Sequence, residues 1–429
     1  MNRHFITIML AVTYAVSFMD RQIFTILQEQ IKHEFLLSDA EVGLLQGFSF
    51  AIFYGGLAIP VAWLADRHNR INIIATSLAL WSLATAACGL AANYTQLMAS
   101  RIAVAVGESG SLAPAHSMIS DLFPSHGRAR ALGIFSMGTG LGMVCGLAGG
   151  GWVGFHYGWR VAFFVFGAPG IILAIALKLT VQEPKRGTVD HGQQAERPKS
   201  LFRSIAQVLA RPSTRMFILC QALLVLCGYA LLSWLPSLMI RSFGVPQTSA
   251  GLAVAALALF AHMPGTFLGG HLGDRFVKRH GDLSVLAKLS AVFLALAFPF
   301  QIAALWMPSF TPMFLLVGVS MFLMQMSFGP VLSLVQCSVP PGERAITAAV
   351  MAFFGNLLGL GLAPVTVGFI SDTFAPAWGA DSLRVGLSVA SAFLVPAALA
   401  CVAAIHQARA IKTHPADAVE SKSSNPALG

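Results

Sequence analysis

Two charged pairs inside apolar stretches are the residues with the clearest capacity for chemistry. The segment SFMDRQIF, residues 17–24, places Asp20 beside Arg21, and RIAVAVGES, residues 101–109, places Arg101 seven residues before Glu108. An ionisable side chain within a membrane span costs ~2.5–3.5 kcal/mol on insertion scales, so each of the four needs a partner or a watery cavity. They predict a functional site inside a membrane. The alternative is a buried network that only fixes two helices to each other.

The positions of these charges predict which of them can meet. Asp20 and Arg21 are adjacent and point ~100° apart, so each must find its partner on another helix. Arg101 and Glu108 lie nearly on one helical face. At ~1.5 Å per residue, Asp20, Arg21 and Arg101 share one level, and Glu108 lies nearer the middle of its span. Two pairings are open: Asp20 with Arg101, or Arg21 with Glu108.

The residue types predict a division of roles between arginines and acids. Arg21 and Arg101 stay protonated, and the planar guanidinium suits recognition of a phosphate or carboxylate on a substrate. A carboxyl group can titrate, because burial and a nearby arginine shift its pKa in opposite directions. We predict Glu108 as the proton carrier, since it is nearer the middle of its span and lies between two glycines. Asp20 is the second choice.

The composition identifies the solvent of the chain. Of its 429 residues, 56% are hydrophobic and only 10% are charged, against ~25% charged in a soluble protein. The net charge is +9, but the basic residues form no single face, which excludes a nucleic-acid partner. The six cysteines lie in apolar stretches without a CxxC pair, so we predict no disulfide framework, metal or other cofactor, and a proton gradient as energy source.

Twelve apolar segments have the ~20 residues that a membrane-spanning helix needs. The first could also be a signal peptide, but eleven further spans favour a retained helix. If the termini are inside, 21 of the 27 Lys and Arg residues lie on inner segments, which predicts cytoplasmic termini. The six exceptions are Arg21, Lys32, Arg101, Arg160, Arg241 and Arg384. The spans lie near 5–27, 42–64, 72–92, 95–120, 131–154, 160–180, 216–239, 249–270, 285–306, 311–336, 345–371 and 384–406.

A polar segment divides the spans into two groups of six. We predict an N-terminal half at 1–180, a cytoplasmic linker at 181–214, a C-terminal half at 215–407 and a disordered cytoplasmic tail at 408–429. The halves repeat weakly, since AWLADRHNR at 62–70 corresponds to GHLGDRFVKR at 270–279. Repeated halves are typical of secondary transporters. The predicted fold class is therefore an all-α integral membrane protein with twelve transmembrane helices in two pseudo-symmetric halves.

Three motifs in order along the chain resemble those of the major facilitator superfamily. The fourth span carries RIAVAVGES, similar to R-x-x-x-G-x-G, and the fifth carries GMVCGLAGGG, similar to an antiporter motif but with Leu147 in the place of its proline. The loop motif G-x-L-x-D-R-x-G-R has Ala62 and Asn69 in place of its glycines. Its matching residues are Leu64, Asp66, Arg67 and Arg70 in one copy, and Gly270, Leu272, Asp274 and Arg275 in the other.

Within that superfamily the chain resembles the Spinster-type group. The stretches that carry this likeness are MDRQIFTILQEQIK, FYGGLAIPVAWLADRHNR and VGESGSLAPAHSMISDLFP. The resemblance implies alternating access, and movement of lysophospholipids or sphingoid phosphates. The anion:cation symporters share a similar first span and remain open as the subfamily.

The resemblance also implies an inner gate. In the family, charged pairs at the inner loops hold that side closed while the outer side is open. The arginines could equally reflect membrane topology alone, but the acids contribute little to topology. The residues that match are Asp66, Arg67, Arg70, Asp121, Asp274 and Arg275.

Small residues on the fifth span predict a packing seam. Gly138, Gly142, Gly146 and Gly150 recur every four residues, which lets another helix approach closely.

The second half is more apolar than the first and could form the wall of a cavity. Its candidate substrate-binding residues are Tyr229, Trp234, Met321, Met324 and Gln325. On a cavity helix, a methionine and aromatic stripe is an adaptable surface for an acyl chain. The alternative is an ordinary core. We expect His116 and His262 to be packed histidines.

Together these features predict a proton-coupled, alternating-access carrier of an anionic amphiphile such as a lysophospholipid or sphingoid phosphate. A carrier of small organic anions or a drug efflux pump is the alternative. An enzyme would need clustered His, Asp or a nucleophile at the membrane surface, for which Asp121 with His126 is the only local candidate. We expect a monomer in a bacterial inner membrane, with the bilayer and a small-molecule or lipid-like substrate as its partners.

Overall fold

The computed structural model describes residues 3–65, 67–184, 186, 201–339 and 343–405, which are almost entirely helical and contain no strand. Long helices follow one another in the order predicted for the spans. They are α1 Arg3–Phe35, α2 Asp39–Ala65, α3 Arg70–Cys88, α4 Tyr94–Glu108 with Leu112–Leu122, α5 Ser125–Val144 continued by Cys145–Gly149 and Gly150–Tyr157, α6 Trp159–Thr180, α7 Pro212–Phe243, α8 Gln247–His280, α9 Ser284–Leu305, α10 Phe310–Cys337, α11 Arg344–Gly355 continued by Asn356–Leu362 and Ala363–Trp378, and α12 Ser382–Ala392 with Leu394–Ala403.

Nine helical stretches in the described part of the chain are long and apolar enough to cross a membrane. The last, Ile346–Ala403, contains both α11 and α12. The nine therefore account for ten of the twelve predicted spans. The other two are α1, in which Asp20 and Arg21 lower the mean hydropathy, and α4, which the turn after Glu108 divides into segments of 15 and 11 residues.

Helix α1 extends beyond the predicted span. It has 33 residues, which at ~1.5 Å per residue exceeds the ~30 Å hydrocarbon core of a bilayer. Its last two turns carry Gln28, Glu29, Gln30 and Lys32. We call this end of the bundle, which also holds Arg241 at the end of α7, the Arg241 end. The opposite end is the Arg70 end.

The glycine face of α5 lies against α1. A Cβ atom built on Gly138 would lie 2.3 Å from the Ala11 carbonyl oxygen, and one on Gly142 would lie 2.2 Å from the Ala15 carbonyl oxygen. Gly146 is similarly close to Met19, and Gly150 contacts Ile23 and Ile26. The seam predicted from the sequence therefore packs backbone against backbone within the first half.

The two halves meet along α2 with α11 and along α5 with α8. A Cβ on Gly47 would lie 2.4 Å from the Leu360 carbonyl oxygen, and one on Gly251 would lie 2.3 Å from the Leu147 carbonyl oxygen. Each of these four helices contains a π-helical turn, at Leu44–Phe48, Cys145–Gly149, Ala258–His262 and Asn356–Leu362. Such turns are rare in proteins, and those that occur are often found at functional sites. Here they lie on the four helices through which the two halves meet.

The predicted linker contains a helix. Leu201–Ala210 is helical, and α7 begins at Pro212, inside the predicted linker boundary at 214. Val208 of the linker helix is buried with Phe217 of α7, so this part of the linker packs on the second half. Residues 187–200 and the predicted tail at 408–429 lie outside the described residues.

Candidate functional site

Arg21 of α1 and Glu108 of α4 form a buried ion pair. Arg21 donates from Nε at 2.8 Å and from NH2 at 2.6 Å, and both bonds reach the same carboxylate oxygen, Oε2. Ser17, one turn earlier on α1, donates to that oxygen at 2.7 Å. Glu108 is fully buried, whereas the Arg21 side chain keeps 12% of its surface exposed. Of the two pairings that the sequence left open, this is the one formed.

A break in α4 places Glu108 at a helix end. The helix stops at Glu108 and resumes at Leu112, with a turn at Ser109–Ser111. Ser111 donates its hydroxyl to the Glu108 carbonyl oxygen at 3.0 Å and so satisfies one of the carbonyls that the break frees. Gly107 allows α4 to approach α3, because a Cβ there would lie 2.7 Å from Trp81.

Aromatic rings surround the exposed part of Arg21. Its guanidinium carbon lies 5.1 Å from the Phe18 ring centroid, 4.7 Å from that of Phe50 and 4.8 Å from that of Tyr54. Tyr229 of α7 packs against the same hydrophobic cluster as Tyr54 and lies within electrostatic range of Arg21. We call Arg21, Glu108 and these rings the Arg21 site. It joins α1, α2 and α4 of the first half to α7 of the second.

Asp20 and Arg101 make other contacts in the first half. Asp20 is fully buried and accepts a hydrogen bond from the Thr85 hydroxyl of α3 at 3.2 Å. Arg101 donates from Nε to the Leu45 carbonyl oxygen at 3.5 Å and lies 4.9 Å from the Phe24 ring centroid. Of the four charges, only Arg21 and Glu108 form an ion pair in the described part of the chain, and Arg101 lies 5.8 Å from the centroid of the Phe50 ring that Arg21 also contacts.

Two carboxyl oxygens in this region have no hydrogen-bond partner among the described residues. They are Oδ1 of Asp20 and Oε1 of Glu108. A buried ionised carboxylate normally uses both oxygens, since leaving one unpaired costs free energy. On each acid this unpaired oxygen is the atom to which a proton would add.

The candidate substrate-binding residues of the second half do not all lie near the Arg21 site. Trp234 is fully buried and donates its Nε1 hydrogen to the Pro364 carbonyl oxygen at 3.0 Å. Met321 and Met324 are buried in hydrophobic clusters, and Gln325 accepts from Thr266 at 3.2 Å. Of the five, Tyr229 is the one that packs against the same cluster as Tyr54 of the Arg21 site. For Trp234 and Met324 the packed-core interpretation fits the observed burial better.

Residues predicted for an inner gate occupy the Arg70 end, but they do not join the halves in the contacts observed. Arg70 is buried and bonds Asp121 at 2.5 Å and Glu183 at 2.9 Å, both in or beside the first half. Arg67 stacks on Trp63 at 3.7 Å. Asp274 and Arg275 are exposed. Asp66 lies outside the described residues. The two predicted gate residues of the second half are thus accessible to solvent at this end.

Glu183 was not anticipated from the sequence. It lies in the predicted linker and binds both the side chain and the backbone N–H of Arg70, while the Pro184 carbonyl oxygen accepts from Arg70 at 3.0 Å. A polar, Pro-rich segment gives no sign of which buried charge it will meet.

The Arg241 end holds a second charged cluster that the sequence did not reveal. Arg241 of α7 bonds Glu29 of α1 and Asp39 of α2, and Asp39 also accepts from Lys32 at 2.5 Å. Asp372 of α11 accepts from the backbone N–H of Asp39 at 2.9 Å. These five residues are the Arg241 cluster. Two of its members, Lys32 and Arg241, are exceptions to the inner placement of basic residues, and that exception is the signal that could have indicated it.

Outside the spans, Arg211 binds Glu343 and joins the end of the linker helix to the start of α11. The hydrogen bond from Arg211 holds the pKa of the Glu343 carboxyl below its usual range, although partial burial acts in the opposite direction. Among the described residues, no three His, Cys, Asp or Glu side chains come together as a metal site would require.

Comparison with known proteins adds to this geometry. A family model described as Major Facilitator Superfamily matches residues 10–364. An MFS-type efflux pump of Mycolicibacterium smegmatis is 29% identical, over 92% of this chain and 90% of its own length. A probable galactarate/D-glucarate transporter of Bacillus subtilis is 25% identical, over 86% and 85%. Protein spinster homolog 1 of Rattus norvegicus is also 25% identical, over 87% and 74%.

A solved structure is closely similar along the whole chain. It is the crystal structure of a bacterial homologue of the human lysosomal transporter Spinster, in an inward-facing and unoccupied conformation. The TM-score is 0.87 and the sequence identity 32%, over 96% of this chain and 99% of that one.

Proposed function

Because the chain belongs to the Major Facilitator Superfamily and is a Spinster-like integral membrane transporter, we propose that it is a proton-coupled, alternating-access carrier of an anionic amphiphile. Lysophospholipids and sphingoid phosphates are the class of substrate. The single observation that carries this proposal is the Arg21 site, in which a partly exposed arginine lies between a buried carboxylate and aromatic rings.

Competition for Arg21 is the proposed coupling step. While Glu108 is ionised, it occupies two donors of Arg21. When Glu108 takes up a proton, its attraction for the guanidinium falls, and Arg21 is released to bind the phosphate or carboxylate of the substrate. When the proton leaves, Glu108 displaces the anion. Substrate affinity therefore rises as the pH falls.

The surroundings of Arg21 favour an amphiphile over a sugar. A sugar needs many hydrogen-bonding groups around it, whereas Phe18, Phe50 and Tyr54 offer mainly apolar faces. These rings accommodate the start of an acyl chain beside a charged headgroup. Arg101, also predicted to bind substrate, is 2% exposed, so we assign it a positioning role.

We also propose that the Arg241 end faces the outside, with cytoplasmic termini, in a bacterial inner membrane, and that the monomer is the working unit. Six basic residues were exceptions to the inner placement of Lys and Arg. Five of the six form an ion pair with a carboxylate. The sixth, Arg101, forms none among the described residues. The other 21 of the 27 Lys and Arg residues lie on the proposed inner side, and this excess supports the orientation.

A carrier of small organic anions or drugs is the second candidate. The same arginine would bind a sugar acid, and two of the relatives named above are an efflux pump and a probable galactarate/D-glucarate transporter. The two candidates differ in their use of the aromatic rings around Arg21, because a small dianion has no apolar part to pack against them.

Thermal stabilisation of the purified protein separates the two candidates. A bound ligand raises stability by ~2.7 kcal/mol at a concentration one hundred times its Kd. We expect a lysophospholipid with a single anionic headgroup to raise the Tm below its critical micelle concentration, and galactarate to leave it unchanged. A rise with galactarate alone would favour the second candidate. Arg21→Gln is the control, and it should remove the response to whichever ligand binds.

A further inference from the structure

Arg241 is shared between two acids of the other half. Its Nε and NH2 donate to the two oxygens of Glu29 at 2.8 Å each, and its NH1 and NH2 donate to the two oxygens of Asp39 at 2.7 Å each. All three side chains keep no more than 15% of their surface exposed. Hydrogen bonds between charged partners with this little access to water are the strong ones. This contact therefore holds α7 to α1 and α2.

The N-terminus of α2 is capped partly by the other half. Asp372 of α11 accepts from the backbone N–H groups of Asp39 at 2.9 Å and of Ala40 at 2.8 Å. The next N–H, of Glu41, bonds the Ser38 side chain in a capping box. Thus two of the free donors at this helix end are satisfied only when the halves are together, and the third is satisfied at all times.

Lys32 belongs to the same half as Asp39, whereas Arg241 belongs to the other half. Lys32 donates to Oδ1 of Asp39 at 2.5 Å, and both residues belong to the first half. When the halves separate at this end, Glu29 loses Arg241, but Asp39 keeps a cation. Lys32 and Arg241 also repel each other while both lie against Asp39. Lys32 thus stabilises the separated state relative to the joined state.

We propose that the Arg241 cluster sets the equilibrium between the joined and separated states of the Arg241 end, with its two cations acting in opposite directions. Arg241 and Asp372 favour the joined state, and Lys32 favours separation. The inference rests on the alternating-access cycle proposed above, in which this end must open. Beyond that cycle, we infer that Lys32, which stays with Asp39 when the halves separate, lowers the free energy needed to open this end.

The test is a distance measurement in lipid nanodiscs without substrate or pH gradient. Spin labels at His33→Cys and Ala377→Cys, both exposed positions at this end in different halves, report separation by pulsed electron resonance. Cys145 and Cys337, which are not buried, are replaced by Ser. Arg241→Gln should raise the ratio of separated to joined molecules about tenfold, the change that ~1.4 kcal/mol produces. Asp372→Asn should shift it in the same direction by less.

Lys32→Met tests whether Lys32 acts in the opposite direction to Arg241. In the Asp372→Asn background, where both states are populated, it should lower the separated fraction by roughly two- to fivefold, the range of a partly exposed ion pair. If Lys32→Met instead raises the separated fraction, or Arg241→Gln leaves the distance unchanged, the proposal is wrong. Glu29→Gln, which keeps Arg241 and Asp39 in place, gives a second test if Arg241→Gln does not fold, and it should also favour separation.

Glu34→Gln is the matched control. Glu34 is an acid on the same end of α1, but it bonds Arg160 and Trp159 of its own half. Its replacement should not move the distance. Because the readout needs no substrate, a failure of lipid transport would leave this result interpretable, and a failure here would leave the Arg21 site untouched.

Discussion

At the scale of single residues, charge pattern predicted the site but could not choose its pairing. The order of charges on α1 and α4 allowed either Asp20 or Arg21 to meet the fourth span. The observed pairing is that of Arg21 with Glu108, which lies at a break in α4 and also accepts a hydrogen bond from Ser17. Asp20 instead bonds Thr85, a neutral hydroxyl on a third helix that reasoning from charges alone had no means of identifying.

The first prediction concerns Glu108→Gln. Glutamine keeps the size of the side chain but cannot ionise, so Arg21 should bind substrate equally well at all pH values. We expect a KM for the anionic substrate that no longer depends on pH, measured by uptake into proteoliposomes. Asp20→Asn is the control, and it should retain the pH dependence. Loss of the pH dependence in Asp20→Asn alone would transfer the proton role to that residue.

The second prediction concerns Arg21→Lys. Lysine keeps the positive charge but loses the planar arrangement that makes two bonds to one acceptor. A charged hydrogen bond is worth ~1.5–3 kcal/mol, so KM should rise roughly ten- to a hundredfold with little change in Tm. Arg101→Lys should do the reverse, lowering Tm with a small effect on KM. A KM unchanged in Arg21→Lys would contradict the assignment of Arg21 to substrate binding.

At the scale of elements, periodicity predicted helices well and helix ends poorly. The twelve spans and the presence of a close helix contact on α5 follow from apolar length and glycine spacing, whereas α1 as the partner was seen only in the structure. The additional turns of α1, the linker helix and the partners at helix ends do not, because they depend on long-range contacts. Arg241, Glu29 and Asp372 lie more than a hundred residues apart along the chain. The outer placement of Lys32 and Arg241 indicated that these cations need partners, but a single sequence does not show which acids they meet.

The third prediction concerns the seam between α1 and α5. In Gly142→Ala the new methyl group would lie 2.2 Å from the Ala15 carbonyl oxygen, so the two helices must move apart. We expect a loss of ~1–3 kcal/mol of stability and a markedly slower transport rate. Gly133→Ala on the same helix meets nothing within 4 Å, so it should be neutral or slightly stabilising. Equal stability in both variants would argue against close packing.

The fourth prediction concerns the Arg211–Glu343 pair. The pKa of Glu343 is lower in the folded state than in the unfolded chain. Its contribution is therefore present above the unfolded pKa and is lost as the pH falls through the folded pKa. Because the pair is partly exposed, the contribution is only ~0.2–1 kcal/mol. Glu343→Gln should lower the Tm slightly at pH 7 and not at pH 3, where an unchanged difference would contradict this account.

At the scale of the whole molecule, the two charged clusters occupy different parts of the helix bundle. The Arg241 cluster joins the halves at one end, while the loops at the Arg70 end are exposed. The chain is similar to an inward-facing structure over 96% of its length. The Arg21 site lies between these ends, on α1, α2, α4 and α7.

The most direct test of the central claim is uptake of a labelled lysophospholipid into proteoliposomes with and without an imposed pH gradient. We expect wild-type transport to increase several-fold with the gradient, and Glu108→Gln to transport at one rate in both conditions. Equal wild-type rates would contradict proton coupling. Transport of galactarate with none of the lysophospholipid would contradict the proposed substrate.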